Sequence, residues 1–435
     1  QESRGLGDVY KRQVREDMAE KLMQFFYSLK ESDITSLDIF LEKGMPYTEV
    51  TRSGNVDYVI TQFLSGVSIM TIDGFDECLL IDCRTYPMRS VSEPWKDRVL
   101  RGSRDGFVET LVSNAALLRR RIRDPRFSME LYGVGRRSRS DVAICYISDS
   151  VDQSVLNRMR KLIQSIDVDA LTMNIESLAE CMFTHKWINP FPKFKYSERP
   201  DTATAAILDG NIVIMVDNSP AVMIIPASIF DIIEEADDFN FSPMIGSYLR
   251  ITRFFFSIVT WILTPLWLLF VNNPDWVPEF MKFVLITDDI TVPVLLQLLI
   301  LELAVDGLKL AAVNTPTMLS TPLSIVAGIV VGEYAVSSGW FNPEALLYMA
   351  VVTVGTYGQT NFEMGYAFKF LRVLTLILTQ IFNLGGFIAG VVISVLMIAF
   401  NRTITGKSYI YPLIPWDGKM LKRKVFRVRL PHSYK

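Results

Sequence analysis

Apolar residues in the first half of the chain fall in short periodic runs. Over 14–30, Met18, Leu22, Phe25, Phe26 and Leu29 recur at helical spacing and predict an amphipathic helix; 56–64 predicts another. The runs 67–72 and 79–83 predict two strands joined by the turn residues Asp73-Gly74-Phe75-Asp76. A helix is expected over 105–122, with Phe107, Leu111, Asn114 and Leu118 on one face. A strand at 142–147 and helices at 156–166 and 175–183 follow. Three more apolar runs, 205–208, 211–216 and 221–225, are separated by Asp209-Gly210 and by Asp217-Asn218-Ser219-Pro220. Asp-Gly between apolar runs signals a hairpin, so these predict a small β-meander. Such mixing of helices and strands implies α/β layers, divided near Pro94 into subdomains 14–95 and 96–245.

The pattern changes after Leu249. Residues 251–271 carry no charge after Arg253, and a bilayer crossing needs roughly 20 apolar residues, so this is a first membrane helix. Further spans are expected at 319–337, 345–360, 365–382 and 385–400, the last two divided at Asn383-Leu384-Gly385-Gly386. Arg250 and Arg253 flank the first span, while the loop after it carries Asp275, Glu279, Asp288 and Asp289 against Lys282. The positive-inside rule then places the α/β region in the cytoplasm. Lys369 and Arg372 mark a cytoplasmic start for the span at 365–382. The tail from Arg402 to Lys435 holds nine Lys or Arg and one acid, Asp417, which puts the C-terminus inside as well. Both ends inside requires an even number of spans.

Segment 292–313 differs. Pro293 suits a first helical turn and Pro316 lies beyond the end. The segment is apolar but carries Glu302, Asp306 and Lys309, whose spacings of four and three place them on one stripe. A charge near the bilayer centre costs about 2.5–3.5 kcal/mol on insertion scales, so the stripe should not face lipid. Two readings stand: a water-filled ion pathway or pore lining, or else an interfacial helix or an intramolecular Asp306–Lys309 pair. Counting it as a span gives six. The expected architecture is an α/β cytoplasmic N-terminal domain of two subdomains, an α-helical polytopic membrane domain over 246–402, and a basic cytoplasmic tail over 403–435.

Composition narrows the chemistry. The net charge of −3 over 435 residues offers no basic excess for a nucleic-acid partner. Cys78, Cys83, Cys145 and Cys181 form no CxxC pair and read as free thiols of a reducing compartment. His185 and His432 are too far apart for a His-rich metal site, and no nucleophile motif accompanies His185. Neither a cofactor nor a metal is expected. Gly133-Val134-Gly135 lacks the third glycine of a phosphate loop. Arg119, Arg120, Arg121, Arg123 and Arg126, with Arg136, Arg137 and Arg139, form a basic cluster. It is either a solvated face or a set of intersubunit ion pairs, or else a contact with an anionic leaflet. Residues 1–13 read as an adapter-derived segment foreign to the fold.

Several ordered motifs resemble the A subunits of GerA-family spore germinant receptors. Arg89-Ser90-Val91-Ser92-Glu93-Pro94 is similar to the family's Arg-x-Ile-x-Glu-Pro. Arg101, Gly102, Gly106, Phe107 and Glu109 resemble its Gly-Pro-Arg-Glu-Gly-Phe-x-Glu segment, followed by Asn114 and Leu117-Leu118-Arg119-Arg120-Arg121. Phe191-Pro192, then Glu198, Arg199, Pro200 and Asp201 after Ser197, resemble Phe-Pro…Thr-Glu-Arg-Pro-Asp. Glu302, Asp306 and Lys309 stand where the family has Glu-x-x-x-Glu and an Arg, and Ser324-Ile325-Val326-Ala327-Gly328 with Gly332 is similar to a later family segment. The resemblance runs from about residue 55 to residue 430. Ser103 and Asp105 depart from the usual Pro and Glu, and 312–322 is unusual for the receptors proper, which points to a paralogue.

This resemblance implies a multi-pass protein of the spore inner membrane that takes part in ion release during germination, as an oligomeric channel without enzymatic activity. It implies a homo-oligomer, other germination membrane proteins, a small polytopic partner, the lipid bilayer and monovalent cations as partners. A non-conducting scaffold is the alternative. Glu302 and Asp306 separate the two, since a scaffold has no need of them. A membrane-tethered enzyme lacks any catalytic constellation.

Overall fold

The computed structural model describes residues 16–28, 36–37, 40–41, 50–82, 89–94, 96–183, 189–314 and 328–428. The segment 1–13, Cys83, both histidines and residues 319–327 of the expected span 319–337 lie outside the described residues. The chain divides into two units, Gln1–Arg89 and Ser90–Lys435.

In the first unit, α1 (Glu16–Ser28) is followed by β1 (Val50–Ser53), α2 (Val56–Leu64), β2 (Ser68–Met70) and β3 (Cys78–Ile81). The strands form an antiparallel sheet in the order β1-β3-β2. Central β3 reads Cys-Leu-Leu-Ile and is almost wholly buried, as pairing on both edges requires. The edge strand β1, Val-Thr-Arg-Ser, has one apolar residue and escaped the periodicity reading. Asn55 caps α2, its side-chain oxygen accepting from the Tyr58 amide at 3.2 Å. Leu37, Phe40 and Leu79 form the core.

The second unit opens with an α/β layer. It comprises α3 (Leu111–Arg121), β4 (Phe127–Val134), β5 (Ser140–Ile147), α4 (Gln153–Gln164), α5 (Ile175–Met182), β6 (Lys195–Ser197), α6 (Pro200–Leu208), β7 (Ile212–Val216) and β8 (Val222–Ile225). The five strands form an antiparallel sheet in the order β4-β5-β7-β8-β6. Period-2 alternation sends Val142, Ile144, Ile212 and Ile214 to a core with α4 and α5. Ala143, Cys145, Val213 and Met215 face the other way, onto α3 and α6. Helices on both faces explain why β7 and β8 read as unbroken apolar runs.

Two expectations are corrected here. Residues 205–208 are not a strand but the last turn of α6: Pro200 opens the helix, and Asp209-Gly210 closes it with Gly210 at φ +86°. The expected helix at 105–122 begins only at Leu111. Residues before it run extended because the Phe107 amide donates to the Glu198 carbonyl at 2.8 Å, and Asn114 bonds both backbone groups of Val108. Strands β4 and β6 were not foreseen. Gly133 and Val134 end β4 and Gly135, at φ +93°, begins the turn after it.

The helical region begins with short α7 (Ile229–Ile233) and α8 (Asp237–Asn240), then α9 (Pro243–Asn272), α10 (Val294–Asn314), a π-helical stretch Gly328–Tyr334, α11 (Ala335–Ser337), α12 (Pro343–Tyr357) and α13 (Phe362–Ala399). Helix α9, of 30 residues, and α13, of 38, are long and apolar enough to cross a membrane. Helix α13 breaks at Asn383, which has φ 50° and ψ −128° and lies where the sequence divided two spans. Its arms fold back on one another: a Cβ on Gly386 would sit 1.8 Å from the Leu378 carbonyl oxygen, and one on Gly390 would sit 2.8 Å from Thr375. Small residues let the two backbones approach this closely. Asn383 also exchanges side-chain hydrogen bonds with Asn273, at 2.6 and 2.9 Å, tying the hairpin tip to the end of α9.

Described residues after α13 pack against the rest of this unit. Tyr409 is fully buried and its carbonyl accepts from the Ile229 amide at 3.0 Å. The last helix, α14 (Gly418–Val425), lies beside the start of α9: Arg250 donates to the Arg423 and Lys424 carbonyls at 3.1 and 3.3 Å.

Candidate functional site

Glu302 and Asp306 lie one turn apart on α10, as their spacing requires. Facing them on the first arm of α13 are Lys369 and Arg372, three residues apart and so on one face of their own helix. Arg372 clamps both Glu302 oxygens, at 2.5 and 2.8 Å, and also donates to the Thr260 carbonyl of α9. Glu302 is 5 % exposed and Arg372 3 %. Lys369 pairs with Asp306, donates to the Glu302 carbonyl at 3.1 Å and stands 3.5 Å from its carboxylate. The second Asp306 oxygen has no hydrogen-bond partner.

Lys309 does not pair with Asp306. Its ammonium lies over the rings of Tyr357 and Tyr366, 5.2 and 5.7 Å from their centres. All five ionisable groups line one cleft with about 90 Å³ of room, together with Gln359, Thr353 and Thr356. Three cations thus surround two carboxylates among apolar helices. The sequence offered Lys369 and Arg372 as flanking charges; their three-residue spacing, complementary to the acids on α10, was the signal that they are partners.

A second ionic network holds the start of α9. Arg250 bonds Glu234 at 2.5 Å and Asp238 at 3.1 Å; Arg253 reaches Asp238 at 2.7 Å and Glu235 at 2.9 Å. Lys424 of α14 joins through Asp231 and Glu234. Burial works against the Asp231 carboxylate, yet Lys424 and Ser228 hold it below the usual carboxylate range. A Cβ on Gly246 would lie 2.1 Å from the Asp238 carbonyl, so only glycine admits this approach.

The two motif segments, about a hundred residues apart, meet at the start of α6. Arg199 is 1 % exposed; it bonds Asp201 at 2.5 and 3.0 Å, the Ser103 carbonyl at 3.0 Å and the Asp97 carbonyl at 3.3 Å. Glu198 accepts from the Lys96 amide at 3.3 Å, and its own amide donates to Asp97. Phe107 is buried beside them, and Pro200 opens the helix. Gly106 packs against Ser92 and Pro94, where a Cβ would lie 2.8 Å from the Ser92 carbonyl. Gly102, at φ +125°, lies against Asn240, and the Glu109 carbonyl accepts from the Asn218 amide. Arg101 is exposed. These residues, with buried Asn114, bind the connection before α3 to the sheet, which is structural work.

Part of the basic cluster is ion-paired within the chain. Arg121 bonds Asp105 at 2.6 Å, Arg126 bonds Asp124 at 2.6 Å, and Arg136 bonds Asp167 at 2.6 Å. Ser103 and Asp105, the departures from the family pattern, both accept from Arg121. Cys145 lies in the sheet core, where burial pushes its thiol well up, and Cys78 and Cys181 are free. Among the described residues no three His, Cys, Asp or Glu are grouped to hold a metal.

Residues 7–435 match the family described as Bacillus/Clostridium GerA spore germination protein. The chain belongs to the GerA family. Within that family it is 36% identical to stage V sporulation protein AF of Bacillus subtilis (strain 168), over 92% of this chain and 81% of the relative. Identity to spore germination protein KA of the same organism is 27%, over 89% and 71%. Identity to its uncharacterized membrane protein YfkQ is 26%, over 88% and 74%. The crystal structure of the N-terminal domain of the A subunit of the Bacillus megaterium spore germinant receptor GerK3 aligns at 32% identity and a TM-score of 0.23, covering 27% of this chain and 93% of that one. The match to the GerA family begins within the segment 1–13. This GerA protein is therefore a spore germination and sporulation protein of a membrane protein family, and not an enzyme.

Proposed function

We propose that the chain is the membrane subunit of an oligomeric complex that conducts monovalent cations during spore germination. The carrying observation is the five-charge cluster beside a water-sized cleft among apolar helices. Ionisable groups at such depth are costly, and they are retained where they face a polar path. The two acids have different parts. Glu302, clamped on both oxygens by Arg372, is a strut between α10 and α13. Asp306, half-held by Lys369 and 22 % exposed, faces the cleft and meets the ion. Copies of α10 around an axis would present Asp306 as an acidic ring that draws cations and repels anions. Lys309 marks the mouth.

In this reading the protein sits in the spore inner membrane with about six spans and both termini cytoplasmic, alongside other germination membrane proteins and a small polytopic partner. The non-conducting scaffold is favoured by one observation: Glu302 and Asp306 both have cation partners within the chain. Reconstitution into planar bilayers decides. Cation-selective currents that scale with incorporated protein support the channel, and electrically silent bilayers with intact oligomer support the scaffold.

A further inference from the structure

We infer that the outer face of α14, with the loop before it, is a docking surface for an anionic lipid leaflet, the one at the start of α9. Lys419, Lys422 and Arg423 lie three and four residues apart on one face of α14, and all three are exposed. None of them forms an ion pair among the described residues. The inner face carries Lys424, which is paired with Asp231 and Glu234. Asp417 is the one acid between residues 403 and 428, and it is tied into the helix start: its side chain accepts from the Met420 amide at 3.0 Å and from the Tyr411 hydroxyl at 3.2 Å. The outer face therefore presents bases alone.

Apolar side chains stand beside these bases. Trp416, which directly precedes the capping Asp417, is 71 % exposed, and Leu413, Ile414 and Phe426 are exposed with it. The Trp416 indole N–H donates to no described residue. Solvation accounts for the bases but not for Leu413, Ile414 and Trp416 gathered at one end of the helix. At the headgroup level of a bilayer both fit: tryptophan buries its ring and keeps its N–H wet, and lysine and arginine meet lipid phosphates. The height of α14 on α9 agrees. Arg250 donates to the Arg423 and Lys424 carbonyls, and the Arg427 amide donates to the Ser247 hydroxyl at 3.0 Å, so later residues of the tail lie at earlier residues of α9. Trp416 is therefore at the end of α14 directed toward the uncharged run after Arg253. From Arg250 to Phe254, where that run begins, the helix rises about 6 Å, within reach of a long side chain. Tyr409 holds the start of the loop, buried in one apolar cluster with Trp261 of α9 and Phe368 of α13. The surface thus borders the helices that are long enough to cross a membrane. It rests on α9 crossing a bilayer and not on conduction at Asp306.

The test uses the full chain in vesicles of phosphatidylcholine with a rising fraction of phosphatidylglycerol and a constant fraction of lipid brominated near the headgroup. Bromine quenches tryptophan fluorescence, and the difference between wild type and Trp416→Phe isolates Trp416. A triple variant combines Lys419→Gln, Lys422→Gln and Arg423→Gln; the control is Lys161→Gln, exposed on α4 of the α/β layer. Quenching of Trp416 should grow with phosphatidylglycerol. The triple variant should need about fivefold or more phosphatidylglycerol for half of that growth, and Lys161→Gln should match wild type. Quenching of Trp416 that ignores phosphatidylglycerol, or a triple variant equal to wild type, overturns the anionic surface. Trp416 reached by aqueous acrylamide but not by brominated lipid faces water, and Trp416 shielded from both is covered by another copy of the chain; either result overturns it too. Absence of lipid quenching from the remaining tryptophans as well would place α9 outside the bilayer, which overturns the membrane reading together with the surface.

Discussion

Replacing Arg372 with Met removes a guanidinium while keeping most of its length, and leaves Glu302 buried against apolar helices without its counter-charge. In the wild-type chain Arg372 makes two charge-assisted bonds to Glu302 and one to the Thr260 carbonyl, so one side chain ties α9, α10 and α13 together. With Glu302 only 5 % exposed, solvent cannot replace what is lost. Breaking a buried pair on one side costs about 3–5 kcal/mol. Lys369, 3.5 Å from the stranded carboxylate, recovers part of that, which places the expected loss near the lower end, about 3 kcal/mol. Adding Glu302→Gln to Arg372→Met removes the stranded charge, and the double variant should regain at least half of the loss. The assay is reversible unfolding in mixed micelles for wild type, both single variants and the double variant, read as a coupling energy. A coupling near zero, or an Arg372→Met loss under about 1 kcal/mol, would refute the strut.

Gly390→Leu should separate the two arms of α13, because even a Cβ at that position lies 2.8 Å from Thr375; a cross-link between cysteines placed at Thr375 and Gly390 checks the native approach. Glu130 is held down to about 2 from its ordinary 4.5, chiefly by the hydrogen bond from Arg160, against burial and with help from Tyr146 and Tyr132. A depressed carboxylate stabilises the fold fully above its unfolded pKa, so this contribution should fade as pH falls from 4.5 toward about 2, and Glu130→Gln should flatten that acid limb in thermal melts. A single cysteine at Asp275, between α9 and α10, should react with a membrane-impermeant thiol reagent from outside; labelling from the cytoplasmic side alone would reverse the proposed orientation.

Much of this fold was legible where burial imposes a period. Strands β5, β7 and β8 lie inside the sheet and are apolar on both faces, so they were found nearly to the residue; β4 and β6 lie at its edges and read as ordinary mixed sequence. Asp209-Gly210 misled because the same dipeptide ends a helix as readily as it turns a hairpin, and only the helix-opening Pro200 separates the two. Asn383 marked the break in α13 because an asparagine beside a glycine pair interrupts a run that is otherwise apolar. The acids of α10 were legible as costly charges. Their partners were not, since Lys369 and Arg372 lie more than sixty residues away and flanking charge is the common use of such residues near a span. Arg250 and Arg253 were likewise read as flank when they anchor a buried network with Glu234, Glu235 and Asp238.

In the proposed channel Asp306 faces a permeating cation while Glu302 holds the helices. The most direct test is cation flux through vesicles containing Asp306→Asn protein, normalised to the amount of intact oligomer. Asp306→Asn keeps the shape of the side chain and removes its charge, so normalised flux and cation-over-anion selectivity should both fall while the oligomer survives. Flux and selectivity equal to wild type, with the loss confined to assembly, would contradict the ion path and leave the scaffold.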